Sequence, residues 1–200
     1  MLQYHNEKIP ASDPIPIRLS DAKLRQIQPE LYGPQSATVE MQRGTRILNA
    51  GQIRMMISEH LSFGDSRAAL VVFAEPLLVA AYTDEQDAVV LLRFPQFLAR
   101  QYRLTEGGRL LTINTYVKGN RMAADILPGP AAITRWTNFY PLIAEFLSDD
   151  LDVIERRKAA IPDREWQRAV QFGEAAVARP SPRVRDGRPM FSRREGIPIA

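Results

Sequence analysis

Three apolar segments lie close together in the middle of the chain, between Arg67 and Phe94. They comprise residues 68–73, 77–82 and 88–92. Each has the length of a β-strand and is bounded by residues typical of turns. Because the segments are apolar at every position and not at every second one, they are typical of strands covered on both faces. The pattern predicts a three-stranded meander at the centre of a sheet, with helices packed over it.

The chain before this meander is predicted to begin with an extended arm and a short helix. Three prolines within residues 1–18 favour extended backbone, because proline disfavours helical backbone at the residue before it. Ser20 is a suitable N-cap for a helix over residues 21–28, which Pro29 ends. Residues 37–42 alternate between apolar and polar side chains, which predicts a half-buried strand.

A longer helix is predicted to start after Asn49. Gln52 follows this cap at the spacing of a capping box, in which each side chain bonds the other residue's backbone N–H. The helix has one apolar face at the i, i+3, i+4, i+7 spacing. That face comprises Ile53, Met56, Ile57 and His60.

Two interpretations are open for the chain directly after the meander. Pro95 suits the first turn of a helix that would end before Gly107 and Gly108. Alternatively, residues 102–105 form a strand, and the two glycines form a hairpin turn. We favour the helix. In both cases residues 110–117 are predicted to return as a strand, and residues 123–127 to add an edge strand.

From residue 131 the apolar spacing becomes helical. It predicts a short helix over residues 133–140, a second over residues 141–158, and a third that begins at Pro162 and ends near Val177. Large aromatic side chains recur in this region, at a spacing typical of an ordinary core, although they could also line an apolar pocket. They are Trp136, Phe139, Tyr140, Phe146, Trp166 and Phe172.

Taken together, these elements predict an α+β fold. We expect a single domain over residues 19–178, with a mostly antiparallel sheet of about five strands covered by helices. Residues 1–18 and residues 179–200 are expected to extend from it as N-terminal and C-terminal arms.

Composition narrows the class of protein. Among 200 residues, 45% are hydrophobic and 24% are charged, as in an ordinary globular protein. The chain has neither an apolar run long enough to cross a membrane nor a secretory signal, so no membrane partner is expected. It contains no Cys, which excludes disulfides, thiolate nucleophiles and Cys-ligated metals. This composition fits the reducing cytoplasm.

The positive charge is concentrated at the C-terminus. The formal net charge is +3, and six arginines against two acids give residues 179–200 a net charge of +4, which leaves −1 for residues 1–178. Prolines, glycines and arginines dominate this tail, so we expect it to be extended or disordered. Its candidate partner-binding residues combine cations with apolar anchors. They are Arg183, Arg185, Arg188, Met190, Phe191, Arg193, Arg194, Ile197 and Ile199.

Candidate chemistry elsewhere is weak. Ser66 lies near His60, but it follows a predicted helix and precedes a predicted strand, the reverse of a nucleophile elbow. Asp84, Glu85 and Asp87 could offer oxygen ligands to a hard cation, but they lack the spacing of a calcium loop and are more typical of a solvated turn. No glycine-rich phosphate loop is present. We therefore predict no catalytic residue, metal or cofactor.

Three functions remain as hypotheses. The first is a non-catalytic protein-interaction or accessory subunit that joins a protein partner, or further copies of itself, through the C-terminal arm. The second is a nucleic-acid-binding protein that uses the arginines of the tail. The third is an enzyme of unfamiliar type with a site near His60, Asp65 and Arg67.

Overall fold

A curled, mostly antiparallel β-sheet forms the centre of the molecule, and helices pack against it. The computed structural model describes residues 15–34, 36, 40–43, 46–119, 121–132, 135–189 and 197–198. The helices are α1 (Asp21–Ile27), α2 (Ala50–Phe63), α3 (Phe97–Gln101), α4 (Leu151–Ala160) and α5 (Asp163–Val177). Short 3-10 turns cover Pro29–Leu31 and Ala144–Phe146.

The strands form a small hairpin and one large sheet. They are β1 (Glu40–Arg43), β2 (Arg46–Asn49), β3 (Asp65–Ala74), β4 (Leu77–Thr83), β5 (Ala88–Arg93), β6 (Arg109–Val117), β7 (Leu127–Pro128), β8 (Asn138–Ile143), β9 (Arg183–Asp186) and β10 (Ile197–Pro198). In the large sheet the order is β10-β9-β5-β4-β3-β6-β8, and the two-residue β7 also pairs with β5. The predicted α+β class, with a mostly antiparallel sheet under helices, is confirmed.

The central meander is confirmed as β3, β4 and β5. All seven residues of β4 are buried, as expected for a strand covered on both faces. The β3–β4 pairing shifts register between Val71 and Phe73, which marks a β-bulge near the end of β3. On the other side of β3, pairing with β6 begins at Leu70 opposite Arg109.

The local helix signals before the meander are also confirmed. The Ser20 hydroxyl accepts the N–H of Lys23 at the start of α1. At the start of α2, Asn49 Oδ1 accepts the Gln52 N–H and Gln52 Oε1 accepts the Asn49 N–H, both at 3.0 Å. The predicted strand over residues 37–42 corresponds to β1, although residues 37–39 lie outside the described residues.

After the meander, the helical alternative is confirmed by α3. A turn then leads into β6, and its Gly107 has a positive φ of 79°, a backbone conformation that suits glycine. The predicted edge strand over residues 123–127 is present only as the two-residue β7.

The helices predicted over residues 133–147 are wrong. Residues 138–143 form β8, which pairs with β6 at one end of the sheet, and a 3-10 turn follows. Pro141 misled the prediction because it suits a helix start, but a proline is also tolerated in a strand at the end of a sheet. The second half of the prediction holds, since α4 covers Leu151–Ala160.

The last helix, α5, lies over β3, β4 and β5. Its predicted apolar stripe is largely buried there, including Trp166, Ala169 and Phe172. Gly173 allows a close approach, because a Cβ atom at this position would lie 2.9 Å from the Cβ of Ala80 on β4. Val170, by contrast, is 37% exposed.

The expectation that the whole chain after residue 178 lies outside the sheet is wrong. Arg183–Asp186 form β9, which pairs in parallel with β5 and contributes the buried Val184 to the core. At the other end of the chain, the last residues of the predicted N-terminal arm also contact the domain. Ile17 is fully buried, and residues 1–14 lie outside the described part of the chain.

Candidate functional site

Charged side chains gather around the first residues of β3, where the sequence-predicted site lies. The Arg67 guanidinium is almost fully buried, and its Nε donates to the Asp84 carboxylate in the turn between β4 and β5. Arg67 Nη1 donates to the Ser66 carbonyl at 2.9 Å, and Nη2 lies 4.0 Å from Oδ2 of Asp65. We call Asp65, Arg67, Asp84 and Glu165 the Arg67 centre.

Two carboxyl groups of the Arg67 centre are held in an unfavourable setting for negative charge. Burial raises the pKa of Asp65 to about 6, although the charge of Arg67 opposes that rise. Burial likewise raises the pKa of Glu165 to about 7. Glu165 reaches the centre from α5, and its Oε1 accepts the Ala68 N–H at 2.8 Å. The raised pKa values of Asp65 and Glu165 lie close to neutral pH, and the Glu165 hydrogen bond joins α5 to β3.

Ser66 and His60 are brought near this centre, but both are engaged elsewhere. The Ser66 hydroxyl accepts from Arg157 Nη1 of α4 at 3.1 Å and is buried. His60 Nε2 lies 2.9 Å from the carbonyl oxygen of Ile113, so this nitrogen carries the proton and donates it there. His60 Nδ1 lies 3.5 Å from the Thr115 hydroxyl. These contacts place His60 in the core beside β6, where they orient the imidazole.

The acidic turn before β5 is tied to the fold by its own hydrogen bonds. Asp87 has a positive φ of 42°, and its carboxylate accepts the Tyr82 hydroxyl at 2.9 Å and the Ala131 N–H at 3.0 Å. Arg168 of α5 lies 3.4 Å from the same carboxylate. Among the residues that the structure describes, no three His, Asp or Glu side chains are grouped so that they could hold a metal ion.

The C-terminal strand β9 is anchored by a second buried arginine, Arg185. Its Nε and Nη2 donate to the two oxygens of Asp125, at 2.8 and 2.9 Å. Nη1 donates to the carbonyl of Phe139 at 2.7 Å, and Nη2 also donates to Oδ1 of Asn138 at 3.0 Å. Although burial alone would raise it, the pKa of Asp125 is lowered because the hydrogen bonds and charge of Arg185 more than offset that effect.

The other predicted partner-binding residues divide into two groups. Arg183 is exposed, and the guanidinium of Arg188 pairs with Asp186 at 2.7 Å. Ile197 lies opposite Val184 in the short pairing of β10 with β9. Met190, Phe191, Arg193, Arg194 and Ile199 lie outside the described residues.

A groove that sequence reasoning did not find runs along one side of α5. It has a volume of about 590 Å³ and lies between that side, the end of β3 and the turn before β6. We call it the α5 groove. Its lining comprises Leu70, Val71, Val72, Glu106, Gly107, Arg109, Asp163, Trp166, Gln167, Val170 and Glu174. The one signal in the sequence was Val170, which broadens the apolar stripe of α5 beyond the part that the core buries.

Comparisons with known proteins do not assign the chain to a family. No protein-family model, curated protein or solved structure matches the chain. Within the described residues, the helices are all too short or too polar to cross a membrane.

Proposed function

We propose that the chain is a non-catalytic protein-interaction or accessory subunit that joins a larger assembly through its C-terminal segment, in the cytoplasm. The observation that carries the proposal is the anchoring of β9 by the ion pair between the buried Arg185 and the half-buried Asp125. Because Arg185 fixes β9 beside β5, the chain that follows β9 starts from a fixed place in the fold. Presentation from a rigid base reduces the ordering cost of binding.

The chemistry of residues 190–200 supports a protein partner over a nucleic acid. Two arginines of the tail, Arg185 and Arg188, are already paired with Asp125 and Asp186. The remaining segment combines Arg193 and Arg194 with apolar side chains, which suit the pockets of a protein surface. These apolar residues are Met190, Phe191, Ile197 and Ile199.

The contacts around the Arg67 centre support a structural role for side chains of types that are common in active sites. Its side chains join β3 to α5 and to the β4–β5 turn through direct hydrogen bonds. Nearby, Arg157 of α4 holds the Ser66 hydroxyl, and His60 donates to a backbone carbonyl. Such contacts account for the burial of Arg67, Glu165, Ser66 and His60 without a substrate.

Truncation tests the proposal most simply. Ending the chain after Pro189 removes the proposed binding segment with the two-residue β10 but keeps β9, whereas ending it after Ala178 also removes Val184 and Arg185 from the fold. The first truncation is expected to keep the melting temperature within a few degrees of the full chain and to lose the proteins that co-purify with it. Equal co-purification with an N-terminally tagged 1–189 chain would refute the proposal.

Point variants separate a protein partner from nucleic acid. Phe191→Asp is expected to abolish co-purification, while Arg193→Ala with Arg194→Ala weakens it. If the tail instead bound nucleic acid, the double arginine variant would be the more damaging one, and the affinity measured by filter binding would fall steeply as salt increases.

A further inference from the structure

The α5 groove has the composition of a binding surface rather than of a gap between packed elements. Val170 is 37% exposed in its middle, and the half-buried Val72 lies at its floor beside the β-bulge of β3. The guanidinium of Arg109 covers the ring of Trp166 at 4.7 Å, so the indole is sheltered at the same place. Apolar surface is thus available along the groove, next to a cation already engaged by an aromatic ring.

The charged side chains that line the α5 groove are mostly acidic. Glu106, Asp163 and Glu174 are all exposed, and they come from the turn before β6 and from both halves of α5. None of the ion pairs found among the described residues involves these three carboxylates. Among the described residues that line the groove, Arg109 is the single cation. The carboxylates do not form a metal cluster within the described residues, because they are spread along the groove.

The dimensions of the groove suit an extended chain. Asp163 and Glu174 are eleven residues apart on α5, which corresponds to about 16 Å at the rise of an α-helix. An extended segment rises about 3.3 Å per residue, so about five residues span this distance. A segment with arginine or lysine near both ends and an aliphatic residue between them would place cations on the rim and apolar surface on Val170.

We infer that the α5 groove is a second docking surface, which binds an extended, positively charged segment of a partner protein. The inference rests on the proposed function as an interaction subunit and adds the chemistry of one partner contact. Complementary charge carries the choice of occupant, because three unpaired carboxylates around an apolar floor favour a basic peptide and disfavour an acidic one. A second copy of this chain, through its own basic tail, is an outcome that the test distinguishes.

The test uses fluorescence anisotropy with the full chain and labelled ten-residue peptides. The first peptide has two arginines on each side of a Leu-Val pair, and the second replaces the arginines with glutamates. The basic peptide is expected to bind at least tenfold more tightly than the acidic one, with affinity reduced severalfold between 50 and 300 mM salt. No binding, or equal binding of both peptides, would overturn the inference.

Groove variants and matched controls locate the binding. Glu106→Lys combined with Glu174→Lys is expected to weaken binding of the basic peptide at least tenfold. Val170→Gln, made separately, is expected to have an effect of the same size. Asp152→Lys combined with Glu155→Lys, and separately Leu151→Gln, make changes of the same size at exposed positions of α4, and binding should stay within twofold of the unchanged chain. Melting temperatures show whether each variant is folded. Unchanged binding by the groove variants, or equal loss in the controls, would contradict the assignment.

A third labelled peptide, residues 189–200 of this chain, decides between a partner protein and a second copy. We expect it to bind the groove more weakly than the basic peptide. Tighter binding, lost in the groove variants, would mean that another copy is the occupant and would overturn the choice of a partner protein. The 1–189 chain should bind the basic peptide normally, so failure of the C-terminal proposal and failure of the groove proposal remain separable.

Discussion

Arg67 and Arg185 are both buried arginines in the same sheet, but their surroundings differ. Arg185 faces one carboxylate, Asp125, and its remaining donors reach the Phe139 carbonyl and the Asn138 side chain. Arg67 lies near three carboxyl groups, those of Asp84, Glu165 and Asp65, and of these three only Asp84 accepts a hydrogen bond from it. Arg185 therefore anchors β9 through a single ion pair, whereas Arg67 partly offsets the negative charge of several carboxyl groups.

The pKa directions express this difference. Asp125 has a lowered pKa, so its charged form is favoured in the folded protein. Asp65 and Glu165 have raised pKa values, of about 6 and about 7, because burial outweighs the charge of Arg67. The Arg185 pair therefore stabilises the fold throughout the neutral range, and the Arg67 centre costs stability as its acids ionise.

The largest expected effect is that of Arg185→Ala. It leaves the half-buried Asp125 without its cation and the Phe139 carbonyl without its donor, and we expect the free energy of unfolding to fall by about 3 kcal/mol in urea denaturation. Arg183→Ala is the matched control, since Arg183 is an exposed arginine of the same strand, and it should change stability by less than about 0.5 kcal/mol. Similar losses in both variants would contradict the anchoring role.

Arg67→Met is expected to lower the free energy of unfolding by a smaller amount, about 2 kcal/mol at pH 8. The methionine keeps much of the side-chain volume, the half-exposed Asp84 can be solvated, and Asp65 and Glu165 can escape the lost pairing by taking up protons. The loss should consequently be smaller at pH 5 than at pH 8, when urea denaturation is repeated at both values. A loss that does not depend on pH would mean that these acids do not respond to Arg67.

Glu165→Gln sharpens the comparison through the pH dependence of stability. The folded pKa of Glu165, about 7, lies above its unfolded value near 4.5, so the folded state binds more protons between these values. The stability of the unchanged protein should fall as pH rises from about 4.5 to 7. The glutamine accepts the Ala68 N–H without ionising, so the variant should lose on the order of 1 kcal/mol less between pH 5 and pH 8. An unchanged slope would contradict the raised pKa.

The smallest effect is expected for Arg188→Ala. Arg188 pairs with Asp186 at the surface, where both side chains remain partly exposed and water screens the interaction. The change in unfolding free energy should be below about 0.5 kcal/mol by urea denaturation. A loss comparable to that of Arg185→Ala would mean that burial does not determine how much each arginine of this segment contributes to stability.

Local signals made much of this fold predictable from the sequence. The three apolar segments identified β3, β4 and β5, because strands buried on both faces need no distant information to be recognised. The capping box at Asn49 likewise depends on residues three positions apart. The core assignment of the late aromatic residues was also accurate for Trp136, Phe139 and Phe146, which are buried.

The rest depended on contacts between residues far apart in the sequence. β9 is recognisable only through its parallel pairing with β5, and Arg185 becomes a buried residue only because Asp125, sixty positions earlier, meets it. β8 was misread because Pro141 and a helical spacing of aromatic residues outweighed its position at the end of the sheet. The α5 groove could not be predicted, because its lining comes from three separate elements.

The most direct test of the central claim is the native mass of the protein in extracts of cells that express it at its normal level. An N-terminally tagged full chain is expected to elute in an assembly well above its own 22.6 kDa, and the 1–189 chain to elute near the mass of a single copy while melting at nearly the same temperature. If both chains elute at the same mass, the C-terminal segment does not hold the protein in an assembly, and the proposed function is wrong.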